Sequence, residues 1–580
     1  AGMALAAGAA PPALPGLWRS AVAKEQRLDA WRAYQCGACA FGFRGADFAA
    51  LPPRAPSLAS AQAGAVADEA PLSLEERCRA ERAKPPIMWQ PIPLDVVQAN
   101  HQRRAPGIIY GLEFPWSEAT LVEFGPRWLT KAFHAAGTLS PRNRVTLIIP
   151  EPKIKVTAGN NAGKFLFEVR YAEQTPGLHT KLFAKVPFPL EGATASDRLS
   201  SSVYKQPMDY MEINTYRLLE ASLPVNTPKY YFGDISNETS NYILITERVD
   251  FAEIGGRRPG ALAPLQIEGP YEKCKDAMLR GDAKEYYMLL IRQHALIAGA
   301  HKRGAFGDEA SLRFAITFRS SRPEDYNMNP RGFSFHEEPG VVANKLTAAI
   351  KFFAETAKML FPPYVTTSGF QNKFRKTMQK LCSYSAEIEY WKHSDPNYVA
   401  LGHQNLNMDN AYFWRTSEGA LDCGIFDFGG FSSSSVAHRI WWGLNCAEFE
   451  QIKANLQGYI EAFVALYQDY GGPPLDAGLV RMMAVLTALQ NLYFMVAAVP
   501  NCLTQCPLAQ WETIKDRHDP RVASDVGGKS TLRTTLRVMD NGLRMLEELA
   551  ADRVLDDWEQ QVYVGRMGGA AKTAAMINGG

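Results

Sequence analysis

The chain has 580 residues, 46% hydrophobic and 21% charged, with a formal net charge of +2. It is long enough to bury a large core without staples, and its balanced charge excludes the broad basic field that nucleic acid or an anionic membrane surface would require. Nine cysteines, an odd count scattered along the chain, point to reduced thiols rather than a disulfide framework.

Residues 1–105 read as an N-terminal extension. It opens Ala-rich with no initiator Met at its first position (AGMALAAGAAPPALPG), continues Ala/Pro/Ser-rich, and then becomes a short charged helix and the proline-punctuated stretch PPIMWQPIPLDV. The thiols place the protein in an intracellular compartment, cytoplasmic or organellar, with a plastid admitted if the Ala-rich start is a processed end. Arms of this composition wrap partners, so a protein partner through residues 1–105 is an expectation. Cys36 and Cys39 form a C-x-x-C that would need further ligands to hold zinc, so unpaired thiols are the simpler reading.

Residues 106–250 read as a small lobe. PRWLTKAFHAAG, 126–137, opens on Pro and closes on Gly as a short helix does. RVTLIIPEPKIKV, FLFEVRYAE and TKLFAKVPF read as strands, with the glycine-containing turn TAGNNAGK between the first two. YMEINTYRLLEAS is an amphipathic helix, and PKYYFGDIS and NYILITERVD are two more strands. Residues 251–580 carry helical periodicity almost throughout, interrupted at 401–431 by two loops. The expectation is an α+β fold of two lobes, a small antiparallel sheet and a large mainly helical part. The uncharged stretch Met482–Gln510 contains Thr487, Gln490, Asn491, Pro500 and Asn501, which fits a buried core helix and no transmembrane segment.

The two loops are LGHQNLNMDNAYFW and GIFDFGGF. Phosphoryl transfer needs a phosphate cradle, a cation on the phosphates, metal ligands and a group that orients the acceptor. Gly159, Asn160, Asn161 and Gly163 offer the cradle, although GNNAG serves equally well as a hairpin turn. Lys185, amid apolar neighbours in LFAKVPF, offers the cation, with Glu212 on the next helix to hold it. Asn410 and Asp427 offer a carbonyl and a carboxylate oxygen, the hard donors that Mg²⁺ takes. The catalytic loop follows H-x-D-x-x-x-x-N except that His403 and Gln404 are followed by Asn405, where a carboxylate base would stand.

These motifs resemble the aminoglycoside phosphotransferase/choline kinase-like superfamily, above all its ecdysteroid-kinase-like branches. The likeness runs through WLTKAFHAAG, FLFEVRY, KLFAKVP, MEINTYRLL, YILITERV, the loop 402–413 and FDFGGF. It implies a bilobal protein-kinase-like fold that binds ATP and Mg²⁺ and acts on a small-molecule hydroxyl or amine. It assigns Lys185 to the phosphates, Glu212 to Lys185, Glu247 and Val249 to the hinge beside adenine, and Asn410 and Asp427 to the metal. Asn405 departs from the family, which keeps Asp there.

Three readings of that departure stand open. Asp409 supplies the missing carboxylate; or Asn405 and His403 orient the acceptor and the reaction is slow; or the chain is a catalytically impaired pseudokinase serving as a binding or scaffold subunit. NMDN, 407–410, is also similar to the NTDN segment of selenoprotein O, which implies nucleotidyl (AMP) transfer as a lesser alternative. Two further stretches carry less. The SSSS run, 432–435, reads as a flexible loop. GGKST, 527–531, lacks the first glycine of a P-loop, since Ala523 stands there.

Overall fold

A computed structural model describes residues 72–87, 89–90, 92–151, 162–188, 206–251, 267–308, 312–315 and 337–569. Gly159, Asn160, Asn161, Cys36 and Cys39 lie outside the described residues.

The small lobe is a five-stranded antiparallel sheet of β1 (Val145–Pro150), β2 (Gly163–Tyr171), β3 (Lys181–Val186), β4 (Tyr230–Ile235) and β5 (Tyr242–Glu247), in the order β1-β2-β3-β5-β4. Alternation in GKFLFEVRY sends Phe165 and Phe167 to one face of β2, where their rings meet at 5.9 Å. Register sets Lys185 of β3 opposite Leu244 of β5 and Phe183 opposite Thr246. The helix expected at 126–137 is the second half of a longer one, Glu118–Ala135. Ser117 and Thr120 cap its start, and Gly125 at φ +72° breaks it just before Pro126, which cannot continue a helix through its missing N–H.

Part of the extension is built into this lobe. Helix α1 (Leu74–Arg82), capped by a Ser73–Glu76 box, packs on the helix Gln206–Leu219 that links β3 and β4. Call Glu118–Ala135 α2 and Gln206–Leu219 α3. Arg217 of α3 donates to Glu81 of α1 at 2.5 Å, and Arg77 of α1 pairs with Glu220, the residue following α3. All four side chains are buried.

The large lobe is helical. Its main elements are α4 (Ala283–Lys302), α5 (Val436–Leu444), α6 (Phe449–Asp469), α7 (Ala477–Ala497) and α8 (Thr531–Glu548). Helix α7 is long and apolar enough to cross a membrane, but 83% of its apolar window is buried inside the lobe against α5 and α8. Residues 368–394 and 531–558, helical in period along their length, are each a pair of helices. One breaks at Tyr384, the other at Ala550, whose φ is +50°.

Two two-stranded antiparallel sheets carry the loops: the hairpin of β7 (Ala411–Arg415) with β8 (Leu421–Ile425), and β6 (Val399–Gly402) paired with the later strand β9 (Ser432–Ser435). The SSSS run is therefore corrected from flexible loop to buried strand. Ser432–Ser435 pair antiparallel with β6, and Ser433 N–H donates to Ala315 O at 2.9 Å. Four small side chains fit there because β9 is covered on both faces. GGKST forms a turn, with Gly527 and Gly528 at positive φ.

The lobes meet where Asn226 O accepts Ile425 N–H at 2.9 Å. A sheet lobe with one helix inserted between β3 and β4, set over a helical lobe, is the bilobal α+β protein-kinase-like fold.

Candidate functional site

Residue 185 sits near the end of β3 and shares a face with Phe183. Lys185 Nζ donates to Glu212 Oε2 at 2.6 Å and to Asp427 Oδ1 at 2.5 Å. Lys185 and Glu212 are buried, while the Asp427 side chain is 35% exposed toward the cleft. Burial by itself would drive the ammonium to its neutral form. The carboxylates of Asp427, Glu212 and Asp209 outweigh that, and the Lys185 pKa is raised. The result is a fixed cation.

Asp427 has φ +65°. That region costs a non-glycine residue about 1–3 kcal/mol and persists only where the surroundings impose it. Here they do. Phe428 is buried edge-on to Tyr216 of α3 and packs on His403, with ring centroids 5.3 Å away in both cases. The backbone must turn sharply at 427 to bury that ring and still aim the carboxylate at Lys185. Gly430, at φ +84°, lets the loop close on Gln404, since a Cβ there would lie 2.3 Å from Gln404 Oε1.

β6 delivers His403 fully buried. Its Nε2 bonds Phe426 O at 2.9 Å and its Nδ1 accepts Asn405 N–H at 3.1 Å, partners that assign the proton to Nε2. Burial pushes its pKa down to about 4, so the ring is neutral. Both ring nitrogens of this catalytic candidate are spent on backbone. His403 ties the catalytic loop to the segment before Asp427.

Asn405 Oδ1 accepts from Asn407 Nδ2 at 3.0 Å, and Asn405 O accepts from Asn410 Nδ2 at 2.6 Å. Asn410 O in turn accepts Phe426 N–H at 3.1 Å, which brings the two metal candidates, Asn410 and Asp427, onto adjoining backbone. Asp409 is held differently. Lys273 Nζ lies 3.5 Å from its Oδ2, its Oδ1 is buried without a hydrogen-bond partner, and burial raises its pKa.

At the hinge, Glu247 spends its side chain on Lys229 N–H at 3.1 Å and on His179 at 3.4 Å. Its backbone is engaged as well, since its N–H donates to Lys229 O at 2.8 Å and its carbonyl accepts the Thr246 hydroxyl at 3.1 Å. Val249 packs on a small cluster apart from the main core, made of Ile267, Tyr412 and Trp414 with Phe251 and Phe426. The rings of Tyr412 and Phe426 lie parallel, 6.0 Å apart and 8° from coplanar. Gly424 stands opposite Tyr412 in the β7–β8 hairpin, where a Cβ would fall 2.1 Å from the Tyr412 ring. Gly163 opens β2 opposite Val186.

Lys185, Glu212, Asn410 and Asp427 are thus brought together, with His403 and Asn405 bracing them. Tyr412, Phe426 and Lys273 were missed by sequence reasoning. The first two had a usable signal, since they stand two residues after Asn410 and one before Asp427.

No family model matches the chain, and no curated protein matches it. Among solved structures it is similar to the GDP complex of an aminoglycoside 2'-phosphotransferase-IIIa, at 13% identity over 68% of this chain and 93% of that one, TM-score 0.29. A microcompartment-associated aminopropanol kinase gives 12% identity over 73% and 99%, TM-score 0.32. Aminoglycoside phosphotransferase APH(3'')-Id from Streptomyces rimosus gives 13% over 58% and 92%, TM-score 0.25. At such TM-scores these likenesses carry no weight for function, and the site stands on its own geometry.

Proposed function

We propose that the protein is a kinase-like phosphotransferase that binds ATP with Mg²⁺ between its lobes and acts on a small-molecule hydroxyl or amine. The observation that carries this reading is Lys185 held between Glu212 and Asp427. A buried ammonium fixed by one carboxylate, with a second carboxylate open to the cleft, is the arrangement a phosphate–metal site requires.

The donor set fits Mg²⁺. Asn410 commits its amide nitrogen to Asn405 O, which leaves Oδ1 as the ligand atom, and Asp427 adds a carboxylate. Among the described residues no group of three or more His, Cys, Asp or Glu could cage a metal. Mg²⁺ needs no such cage, because it binds through one or two side chains plus substrate phosphates. Bound there, the ion would neutralise charge on the phosphates. Lys185 would hold phosphate oxygens, and the hinge backbone at Glu247 and Val249, above Tyr412 and Phe426, would hold the base.

A specific observation favours the second reading, an impaired pseudokinase. The Asn405 amide cannot accept a proton, and its oxygen is already taken by Asn407. General-base help is worth about 10²–10⁴-fold. ATP hydrolysis, with water as acceptor, tests both readings without knowledge of the natural acceptor. Asn405→Asp is expected to raise it by about 10²-fold or more. If Mg-ATP binds but neither wild type nor Asn405→Asp turns over, the scaffold reading holds. Release of AMP and pyrophosphate instead of ADP would support nucleotidyl transfer.

A further inference from the structure

We propose that the cavity bounded by α1, α3 and the turn at Arg313 is a phosphate-binding site that clamps α3. The cavity measures about 180 Å³, against the roughly 10–15 Å³ that one water requires. Its charged lining is Arg82, Lys84, Arg217 and Arg313 against Glu81 and Asp308, so the balance is positive. Glu81 is spent on Arg217 at 2.5 Å and on Lys84 at 2.6 Å. Two guanidinium groups are left without a carboxylate among the described residues. Arg82 donates to the Ser222 hydroxyl at 3.2 Å, and Arg313 is exposed with no hydrogen bond or ion pair. Basic side chains at the end of a helix complement its dipole, which accounts for Arg82 and Lys84 at the end of α1. It does not account for Arg313, which stands in a turn of the large lobe.

A second observation points to the same place. Asn214 of α3 lines the cavity and is 1% exposed. Its Oδ1 accepts from Arg217 Nε at 3.1 Å and from a second Arg217 nitrogen at 2.8 Å, while its Nδ2 is buried with no acceptor. A buried donor without an acceptor is costly, and a ligand oxygen removes that cost. The missing partner is thus an anion that accepts hydrogen bonds. Guanidinium forks suit carboxylate and phosphate alike. Here the donors come from three elements, and a tetrahedral oxyanion presents oxygens in three directions where a carboxylate presents two in one plane.

The place of the cavity links it to Lys185. Tyr210, Asn214 and Arg217 stand at i, i+4 and i+7 on one face of α3, and Glu212 stands on the other. On the large-lobe side Phe314 lines the cavity. Its neighbour Ala315 O accepts Ser433 N–H at 2.9 Å from β9, the strand that follows the Asp427 loop. A phosphate held by Arg82, Asn214 and Arg313 would tie together the two elements that carry the partners of Lys185. A ligand that binds only the docked arrangement favours it, and the coupling is reciprocal. The consequence for nucleotide rests on the phosphotransferase reading, whereas phosphate binding itself does not.

Inorganic phosphate and methyl phosphate are titrated separately into the full-length protein without nucleotide, at an ionic strength held constant with chloride. A saturable rise in Tm is expected, and the tighter binder of the two identifies the source as free phosphate or a phosphate monoester. Arg313→Gln removes an exposed charge that holds nothing in the fold, and should weaken binding about tenfold. Asn214→Asp keeps the oxygen that takes Arg217 and replaces the free donor by a carboxylate oxygen, so it should weaken binding at least as much. Arg79→Gln, exposed on α1 outside the cavity, should keep wild-type affinity. Hydrogen exchange of α3 amides should slow with phosphate in wild type and not in Arg313→Gln. Four results would each overturn the proposal: no saturable stabilisation, an equal response to acetate, α3 exchange that ignores phosphate, or wild-type affinity in Arg313→Gln, which would put the phosphate elsewhere, such as beside Lys185. Because no nucleotide is present, the site succeeds or fails independently of Mg-ATP binding.

Discussion

Lys185 depends on its carboxylates for stability, whatever the proposed phosphate contact requires. Removing one partner of a buried ion pair leaves an uncompensated charge and costs about 3–5 kcal/mol. Asp427 remains beside Lys185 when Glu212 is lost, so Glu212→Leu is expected at the lower end, about 3 kcal/mol, in urea unfolding. A loss below about 1 kcal/mol would mean that the pair is solvated. His403 gives a pH signature. Its folded pKa, about 4, lies below the ordinary 6.5. Between those values the unfolded chain binds more protons, so stability falls as pH falls and is fully restored above about 6.5. Wild type should lose up to about 3 kcal/mol from pH 6.5 to 4 that His403→Gln does not lose. Parallel pH curves for the two proteins would contradict the buried neutral ring. Lys185, Glu212 and Asp427 were legible because their residue types recur at fixed places on strand, helix and loop. Lys273 was not, because nothing in YEKCKD separates a lysine aimed at Asp409 from one facing solvent.

Among the elements, α3 matters most, since it carries Glu212 at its middle and Arg217 toward its end, with Glu220 just past it. α1 takes both of the latter through Glu81 and Arg77, and Tyr210 of α3 donates its hydroxyl to Ile87 O just beyond α1. The described part of the extension therefore braces the helix that positions Glu212. Deleting residues 1–84 would strip two buried partners from α3 and let it shift. Apparent nucleotide affinity should fall about tenfold or more, because only the fraction with α3 in place can bind. Hydrogen exchange should show α3 amides opening at the same time. Unchanged protection in α3 after the deletion would remove the brace from the account. This packing was invisible in sequence, because the matched charges lie about 140 residues apart. Periodicity located the strands and most helices but could not see the stops at Tyr384 and Ala550, which are set by backbone conformation and not by a proline or glycine. It also misread Ser432–Ser435, because four serines lack the apolar alternation that marks a strand.

At the scale of the whole molecule the two lobes were readable from the switch between period-2 and helical patterns. The cleft was readable only at its motifs, since the cluster of Val249, Tyr412 and Phe426 is assembled from three separate stretches. In the proposed site the small lobe supplies Lys185 and the large lobe Asn410 and Asp427, so neither lobe alone would make it. A ligand that bridges both should stabilise the whole chain, by about 2.7 kcal/mol at a hundred times its dissociation constant. The most direct test is a calorimetric titration of ATP, with and without Mg²⁺, into wild type, Asp427→Ala and Asn405→Ala. Asp427 is the proposed metal ligand, while the Asn405 side chain bonds Asn407. The account predicts Mg-dependent binding to wild type, a loss of about tenfold or more in Asp427→Ala, and a change of no more than about threefold in Asn405→Ala, a tenfold change being 1.4 kcal/mol. Equal losses in the two variants, or binding by wild type that ignores Mg²⁺, would contradict it.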